Sequence, residues 1–182
     1  MPGADMLGSG PFRADQLREG DPYELSDGHP IYCAPGGERH GGAQSSGAKV
    51  LDADPAATGK VGVEVGYAFG NGKYLRAPDI SVGTHSERQP GWAKGAPLLA
   101  IEYADGGQDE NDLNRKILEL FTAGTRLAWV VRLVGPLRVE VHEPGKPMRI
   151  AGADEELTAP GILQNPVPVR ALVDAEAANQ AA

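Results

Sequence analysis

The chain has 182 residues, 41% of them apolar, a formal charge of -8 and one cysteine. That length and apolar share suffice for one domain with a real core and argue against wholesale disorder. The charge argues against a broadly basic nucleic-acid surface, and the lone Cys33 excludes an intrachain disulfide or a cysteine-based zinc site.

In chain order, residues 1–13 are polar and rich in Gly and Pro, and read as a flexible N-terminal arm. They contain no apolar run of the kind a secretory signal needs, and no segment of the chain is apolar for long enough to span a membrane. With its single thiol, the chain fits a reduced, cytoplasmic setting. "ADQLREG" (14–20) predicts one or two helical turns ending at Gly20. "YELSDGHPIYCAP" predicts a hairpin turning at "SDG". Residues 35–60 show little periodicity, and a helix from Glu38 to Leu51 would be a poor one because of its glycines. Val61, Val63, Val65 and Tyr67 alternate with Gly62, Glu64 and Gly66, which predicts a strand. "GNGK" then turns into the partner strand "YLRAPDISV", interrupted by Pro78.

Residues 83–96 read as a loop, and "PLLAIEYA" as a central strand. The strongest helix prediction covers Glu110–Ala123, where Leu113, Ile117, Leu120 and Phe121 form one apolar face. Asp109 or Asn111 can cap its start, and Gly124 suits its C-terminal cap. "RLAWVVRLVG" and "PLRVEVHEPG" predict a hairpin, "KPMRIAG" a further strand, and "ELTAPGILQNPVPVRALVD" an edge strand and a last turn. A mixed sheet with few helices follows, as one domain over 14–174 with a flexible tail at 175–182.

Three residues call for a chemical reading. Asp79 follows Pro78 at a bend, Glu102 ends an apolar strand, and Lys116 borders the apolar face of the strong helix. If the strands of Asp79 and Glu102 are neighbours, their carboxylates meet at one sheet end. Two carboxylates, a backbone carbonyl and several waters suit Mg²⁺. A lysine beside them can orient or deprotonate a water, or offset charge as a phosphodiester is attacked. Each residue also has a plainer role: Asp79 as a turn residue, Glu102 as a solvated strand end, Lys116 as the i,i+4 partner of Asp112.

"RAPDISV", "GAPLLAIEYA" and "DLNRKILELFTAGTRLAWVV" together resemble the Uma-two family of restriction-endonuclease-like proteins, in the PD-(D/E)XK nuclease superfamily. The residues that carry the resemblance are Pro78-Asp79, Gly95-Ala96-Pro97, Glu102, Asp112, Lys116, Phe121, Ala123-Gly124 and Trp129-Val130-Val131. It extends over roughly residues 20–145, with the N-terminal hairpin and His40 as looser matches. The superfamily pattern sets a lysine two residues after the acid, where this chain has Ala104. The resemblance implies that Lys116 on the helix substitutes for it. "DGGQDEN" replaces the family's Ser-Pro-Ser-Thr loop, and residues 41–60 lack its firm amphipathic helix.

The implied fold is α/β, leaning to α+β: a restriction-endonuclease-like, mixed, twisted sheet with a main helix packed on it and added β-hairpins. The implied activity is hydrolysis of DNA phosphodiesters with Mg²⁺ or Mn²⁺. Asp79, Glu102 and a backbone carbonyl near Tyr103 are the expected metal ligands, and Lys116 the expected catalytic cation or base. Glu64 is a weaker candidate ligand. DNA is the expected partner, a homodimer is compatible, and no membrane is involved. The rival readings are an inactive nuclease fold used for binding or assembly, and a β-rich ligand-binding or structural protein with no metal site.

Overall fold

The structure, a computed structural model, describes residues 10–176. Residues 1–9 and 177–182, which make up most of the two expected tails, lie outside the described part. Among the described residues no helix is long and apolar enough to cross a membrane.

The chain opens with a short 3-10 turn (Ala14–Gln16) and the hairpin β1 (Tyr23–Ser26) and β2 (His29–Tyr32). Asp27 and Gly28 both take positive φ at its tip, as a two-residue hairpin turn requires. Phe12 packs beside Leu17, Leu25 and Leu75, and its amide donates to the Gly28 carbonyl at 2.7 Å, so residues 10–13 are docked on this hairpin.

Helix α1 spans Glu38–Asp52 despite its glycines. It buries Ala43, Gly47 and Leu51, one residue per turn, against the sheet. The fit at Gly47 explains the low intrinsic preference. A β-carbon there would lie 2.0 Å from the Tyr103 hydroxyl and 2.9 Å from Ile80 Cδ1. The helix forms because it can approach the sheet this closely, and its propensity is secondary.

The next segment departs from the sequence reading. The two predicted strands are each divided: β3 (Val61–Val63) and β4 (Tyr67–Phe69) on one arm, β5 (Tyr74–Arg76) and β6 (Ile80–Val82) on the other. β3 pairs with β6, and β4 with β5. Both arms break at the same level. Pro78 has no amide to donate, and Glu64 takes φ 51 opposite the neighbouring Asp79. The Glu64 amide still donates to the Asp79 carbonyl at 3.1 Å, which pins the bend. One long hairpin therefore runs through two sheets, with Asp79 at the fold.

The smaller sheet has the order β2-β1-β5-β4-β7, where β7 (Ala93–Lys94) lies inside the predicted loop. The larger has the order β11-β10-β9-β8-β6-β3. Its strands are β8 (Leu99–Ala104), β9 (Leu127–Arg132), β10 (Arg138–His142) and β11 (Arg149–Gly152), with β6 and β3 from the bent hairpin. A pair of two-residue strands, β12 (Glu156–Leu157) and β13 (Val167–Pro168), leads to a closing 3-10 turn (Val169–Leu172). β8 and β9 are parallel and joined by helix α2 (Glu110–Ala123); the other pairs of the larger sheet are antiparallel, so the sheet is mixed. The two layers and the mixed sheet are the α/β architecture that the sequence predicts.

β8 is buried along its whole length and sorts its side chains by parity. Leu99, Ile101 and Tyr103 join the main core with α1 and the C-terminal turn. Ala100 and Ala104 face the other way, under Leu113, Ile117 and Leu120 of α2. Burying those three α2 side chains contributes about 1.5–3 kcal/mol each. α2 begins at the Asp109 cap, whose carboxylate accepts the amides of Asn111 and Asp112, and ends at Gly124 with φ 119. Glu102 shares the parity of Ala100 and Ala104. It therefore projects into the α2 layer rather than into the main core.

Candidate active site

Sheet register brings the two predicted acids together. β6 and β8 pair Ile80 with Ile101; continuing by one residue along each chain sets Asp79, at the bend before β6, beside Glu102 of β8. Directly opposed side chains on neighbouring strands have β-carbons roughly 4.5–5.5 Å apart. α2 adds Lys116, whose ammonium lies 3.0 Å from Glu102 Oε1 and 3.2 Å from Oε2. Asp79, Glu102 and Lys116 thus meet at one sheet end. The plainer roles do not hold for two of them. Glu102 is 8% exposed and not a solvated strand end, and Asp112 pairs with Arg76 at 3.2 Å instead of with Lys116.

Each member is held from several directions. Asp79 Oδ2 accepts the Tyr103 amide at 2.6 Å, and Oδ1 lies 3.2 Å from His40 Nε2. Gln44 on α1 donates to the Asp79 carbonyl at 2.8 Å and lies 3.5 Å from Glu64 Oε1. The Tyr103 contact with the acids is thus made by its amide, while its ring is in the core and its hydroxyl donates to Leu172 O at 2.7 Å. Arg39 and Asp105 form a salt bridge that ties the start of α1 to the loop after β8. Glu64 is exposed; its amide bonds the Asp79 carbonyl, and its carboxylate meets the group through Gln44.

Two further residues, Glu24 and Arg76, complete the cluster and were not among the sequence candidates. Glu24 Oε1 accepts from Lys116 at 3.0 Å, and Ala77 O does so at 2.7 Å. Arg76 has no exposed surface. It bridges Glu24 at 3.1 Å, Asp112 at 3.2 Å and Glu119 at 2.6 Å. Ser26 donates to the other oxygen of Glu119 at 2.5 Å. The signal in the sequence was a charge inside each of two short strands, "YELS" and "YLR", where a side chain must either face water or find a buried partner.

The electrostatics follow from the counts. Glu24 and Glu102 share the Lys116 ammonium, and Asp79 adds a third negative charge nearby. Burial acts to lower the Lys116 pKa, but the charges of Glu102, Glu24 and Asp79 outweigh it and hold the ammonium above its ordinary value. Burial pushes the Glu102 carboxyl up to about 8; Lys116 opposes this, and Asp79 and Glu24 add to it. The hydrogen bond to Asp79 raises His40, with burial opposing. The group therefore carries more negative charge than its cations offset.

A cleft of about 970 Å³ opens over the cluster. Its acidic lining includes Glu24, Asp79, Glu102, Asp105, Asp109 and Asp112; Lys116 and His40 are the basic side chains among its described lining residues. Tyr23, Tyr32 and Trp92 add aromatic surface. Glu102 Oε1 is buried, and the Lys116 ammonium at 3.0 Å is its close charged partner among the described residues. Among the described residues, no three His, Cys, Asp or Glu side chains converge as a full metal-ligand set. Two neighbouring carboxylates lining a cleft fit an ion such as Mg²⁺, which takes one or two carboxylates and keeps several waters. They do not fit a structural zinc cage.

Comparison with known proteins agrees with this architecture. No curated protein matches the chain. Among solved structures, it is similar to the crystal structure of a putative nuclease belonging to DUF820 from Anabaena variabilis, with a TM-score of 0.75 and 21% identity. That match covers 90% of this chain and 98% of the other, and it establishes the fold. The Uma2 family model, described as "Putative restriction endonuclease", matches residues 12–169. With that match spanning most of its length, the chain belongs to the Uma2 family of putative restriction endonucleases.

Proposed function

We propose that the chain is a divalent-cation-dependent endonuclease that hydrolyses phosphodiester bonds in DNA. The observation that carries the reading is that Asp79, Glu102 and Lys116 line one cleft at the sheet end, with the Lys116 ammonium against both Glu102 oxygens. Asp79 and Glu102 would hold Mg²⁺ or Mn²⁺. Bound there, the ion would supply Lewis-acid polarisation of a phosphoryl oxygen and acidify a water.

The protein side chains divide the remaining work. His40 and the Tyr103 amide orient Asp79 by engaging one oxygen each. Lys116 acts as a fixed positive charge. Its ammonium has three acceptor groups in reach, Glu24, Glu102 and the Ala77 carbonyl, and its pKa is raised. A group held so firmly in its charged form is a poor base. It is suited to offset negative charge growing on the phosphoryl oxygens during attack. The acidic cleft has a further consequence: phosphates approach it only with cations to screen or bridge them. The aromatic side chains in the cleft supply surfaces on which bases can stack.

The test is cleavage of supercoiled plasmid with Mg²⁺ or Mn²⁺ by the unmodified protein and by Glu102→Gln and Asp79→Asn. Both substitutions keep the side-chain shape and are expected to reduce cleavage at least a hundredfold. Cleavage that ignores Glu102→Gln would remove this site from the reaction. A second reading is a nuclease fold retained for binding or assembly, and the absence of a three-ligand cluster among the described residues favours it. DNA binding by the unmodified protein, with no cation-dependent cleavage, would select that reading.

A further inference from the structure

Resting on the cation site proposed above, a further inference concerns Glu24. We propose that Glu24 is a positioning residue: it keeps the Lys116 ammonium shared between two carboxylates, so that Glu102 is available to a cation.

Geometry carries the argument. Lys116 Nζ lies 3.0 Å from Glu24 Oε1 and 3.0 Å from Glu102 Oε1. The second oxygen of Glu24 is 3.1 Å from Arg76. Glu24 and Arg76 are themselves opposed across β1 and β5, one residue beyond the pair Leu25–Leu75. Arg76 also binds Asp112 and Glu119, which lie one turn before and one turn after Lys116 on α2. The position of Glu24 is therefore set by Arg76 and by its strand, independently of where Lys116 goes. The same arginine fixes the stretch of helix that carries the lysine.

Without Glu24, the buried ammonium has one adjacent carboxylate, Glu102, and attraction in a water-poor site draws it fully onto that group. A cation would then compete with the ammonium for the same oxygens. With Glu24 present, Lys116 keeps two acceptors, Glu24 Oε1 and Ala77 O, when Glu102 turns to a cation. No bond is made or broken in this step; one ammonium is redistributed between two carboxylates. The plain alternative is that Glu24 serves only as a countercharge for Arg76, or as one more negative charge near the site.

The experiment measures Mn²⁺ affinity by titration calorimetry for the unmodified protein, Glu24→Gln, Glu24→Asp, Lys116→Met and the Glu24→Gln/Lys116→Met double variant. Glu24→Asp keeps the charge beside Arg76 and draws it back from Lys116. It also covers the case in which Glu24→Gln does not fold, which near-ultraviolet circular dichroism reads. Glu24→Gln and Glu24→Asp are each expected to weaken Mn²⁺ about tenfold, the effect of changing one close charge contact. In the Lys116→Met background the Glu24 substitution is expected to have no effect on affinity. Equal weakening in both backgrounds, or unmodified affinity in Glu24→Asp, would overturn this inference and leave the cation site standing. Unmodified Mn²⁺ affinity in Glu102→Gln would refute the cation site, and this inference with it.

Discussion

Gly47→Ala is expected to destabilise the protein, although alanine is the better helix former by about 1 kcal/mol in an exposed position. The added carbon would lie 2.0 Å from the Tyr103 hydroxyl and 2.9 Å from Ile80 Cδ1. The hydroxyl has nowhere to retreat, since it donates to Leu172 O at 2.7 Å and its ring is 1% exposed. Either α1 lifts from the sheet or the Tyr103–Leu172 bond breaks. Overpacking of this kind costs about 1–3 kcal/mol, and a lost hydrogen bond about 0.5–1.5 kcal/mol. With both costs and the propensity gain, a net loss of about 0.5–3.5 kcal/mol follows. Urea unfolding of the two single variants and the double variant with Tyr103→Phe reads it. Tyr103→Phe removes the oxygen that makes the worst contact. In that background the Gly47→Ala penalty is expected to shrink by about 1 kcal/mol or more, as for contacting residues in a double-mutant cycle. A more stable Gly47→Ala protein, or strictly additive effects, would refute the account of α1. Because His40 and Gln44 reach Asp79 from the same helix, Gly47→Ala is also expected to weaken Mn²⁺ binding.

Other perturbations separate the networks. Arg76→Met leaves Glu24, Asp112 and Glu119 without their shared cation and is expected to cost about 3–5 kcal/mol in urea unfolding; an unchanged midpoint would contradict the buried clamp. Burial raises the Glu102 pKa above its ordinary value, so Mn²⁺ binding near neutral pH is expected to release a fraction of a proton from it. Apparent affinity then rises with pH and levels off above about 8, which calorimetry in buffers of different ionisation enthalpy measures. No proton release at pH 7 would place the ion elsewhere. Asp54 accepts the amides of Ala56, Gln164 and Asn165, and its pKa is lowered: burial works against this, and the backbone hydrogen bonds prevail. Its contribution is therefore present above the ordinary carboxylate pKa and lost as pH falls through the lowered one. Asp54→Ala is expected to unfold at higher pH than the unmodified protein in an acid titration.

Some elements were legible because their causes are local. α2 runs from Glu110 to Ala123 as its pattern predicts, since its cap, its apolar stripe and its terminal glycine all lie within one stretch of chain. β8 was legible for the same reason, as a continuous small and apolar run. Asp79 and Glu102 stood out because each is an acid bordering a short apolar run in the sequence. The family pattern located Lys116 on a helix, and the register of β6 and β8 then supplied the meeting point.

Other features depend on residues far apart in the chain. A glycine at position 47 reads as a helix breaker until a tyrosine 56 residues later lies against it. Val61–Tyr67 reads as one strand because alternation carries no information about which sheet receives each half; the positive φ at Glu64, opposite Asp79 and beside the Pro78 break, makes that division. Glu24 and Arg76 are 52 residues apart, and Glu24 and Lys116 are 92. No window of sequence relates them, and their pairing arises only when β1, β5 and α2 close over one another. Propensity and periodicity act over a few residues, whereas burying a charge demands partners from wherever the fold can bring them.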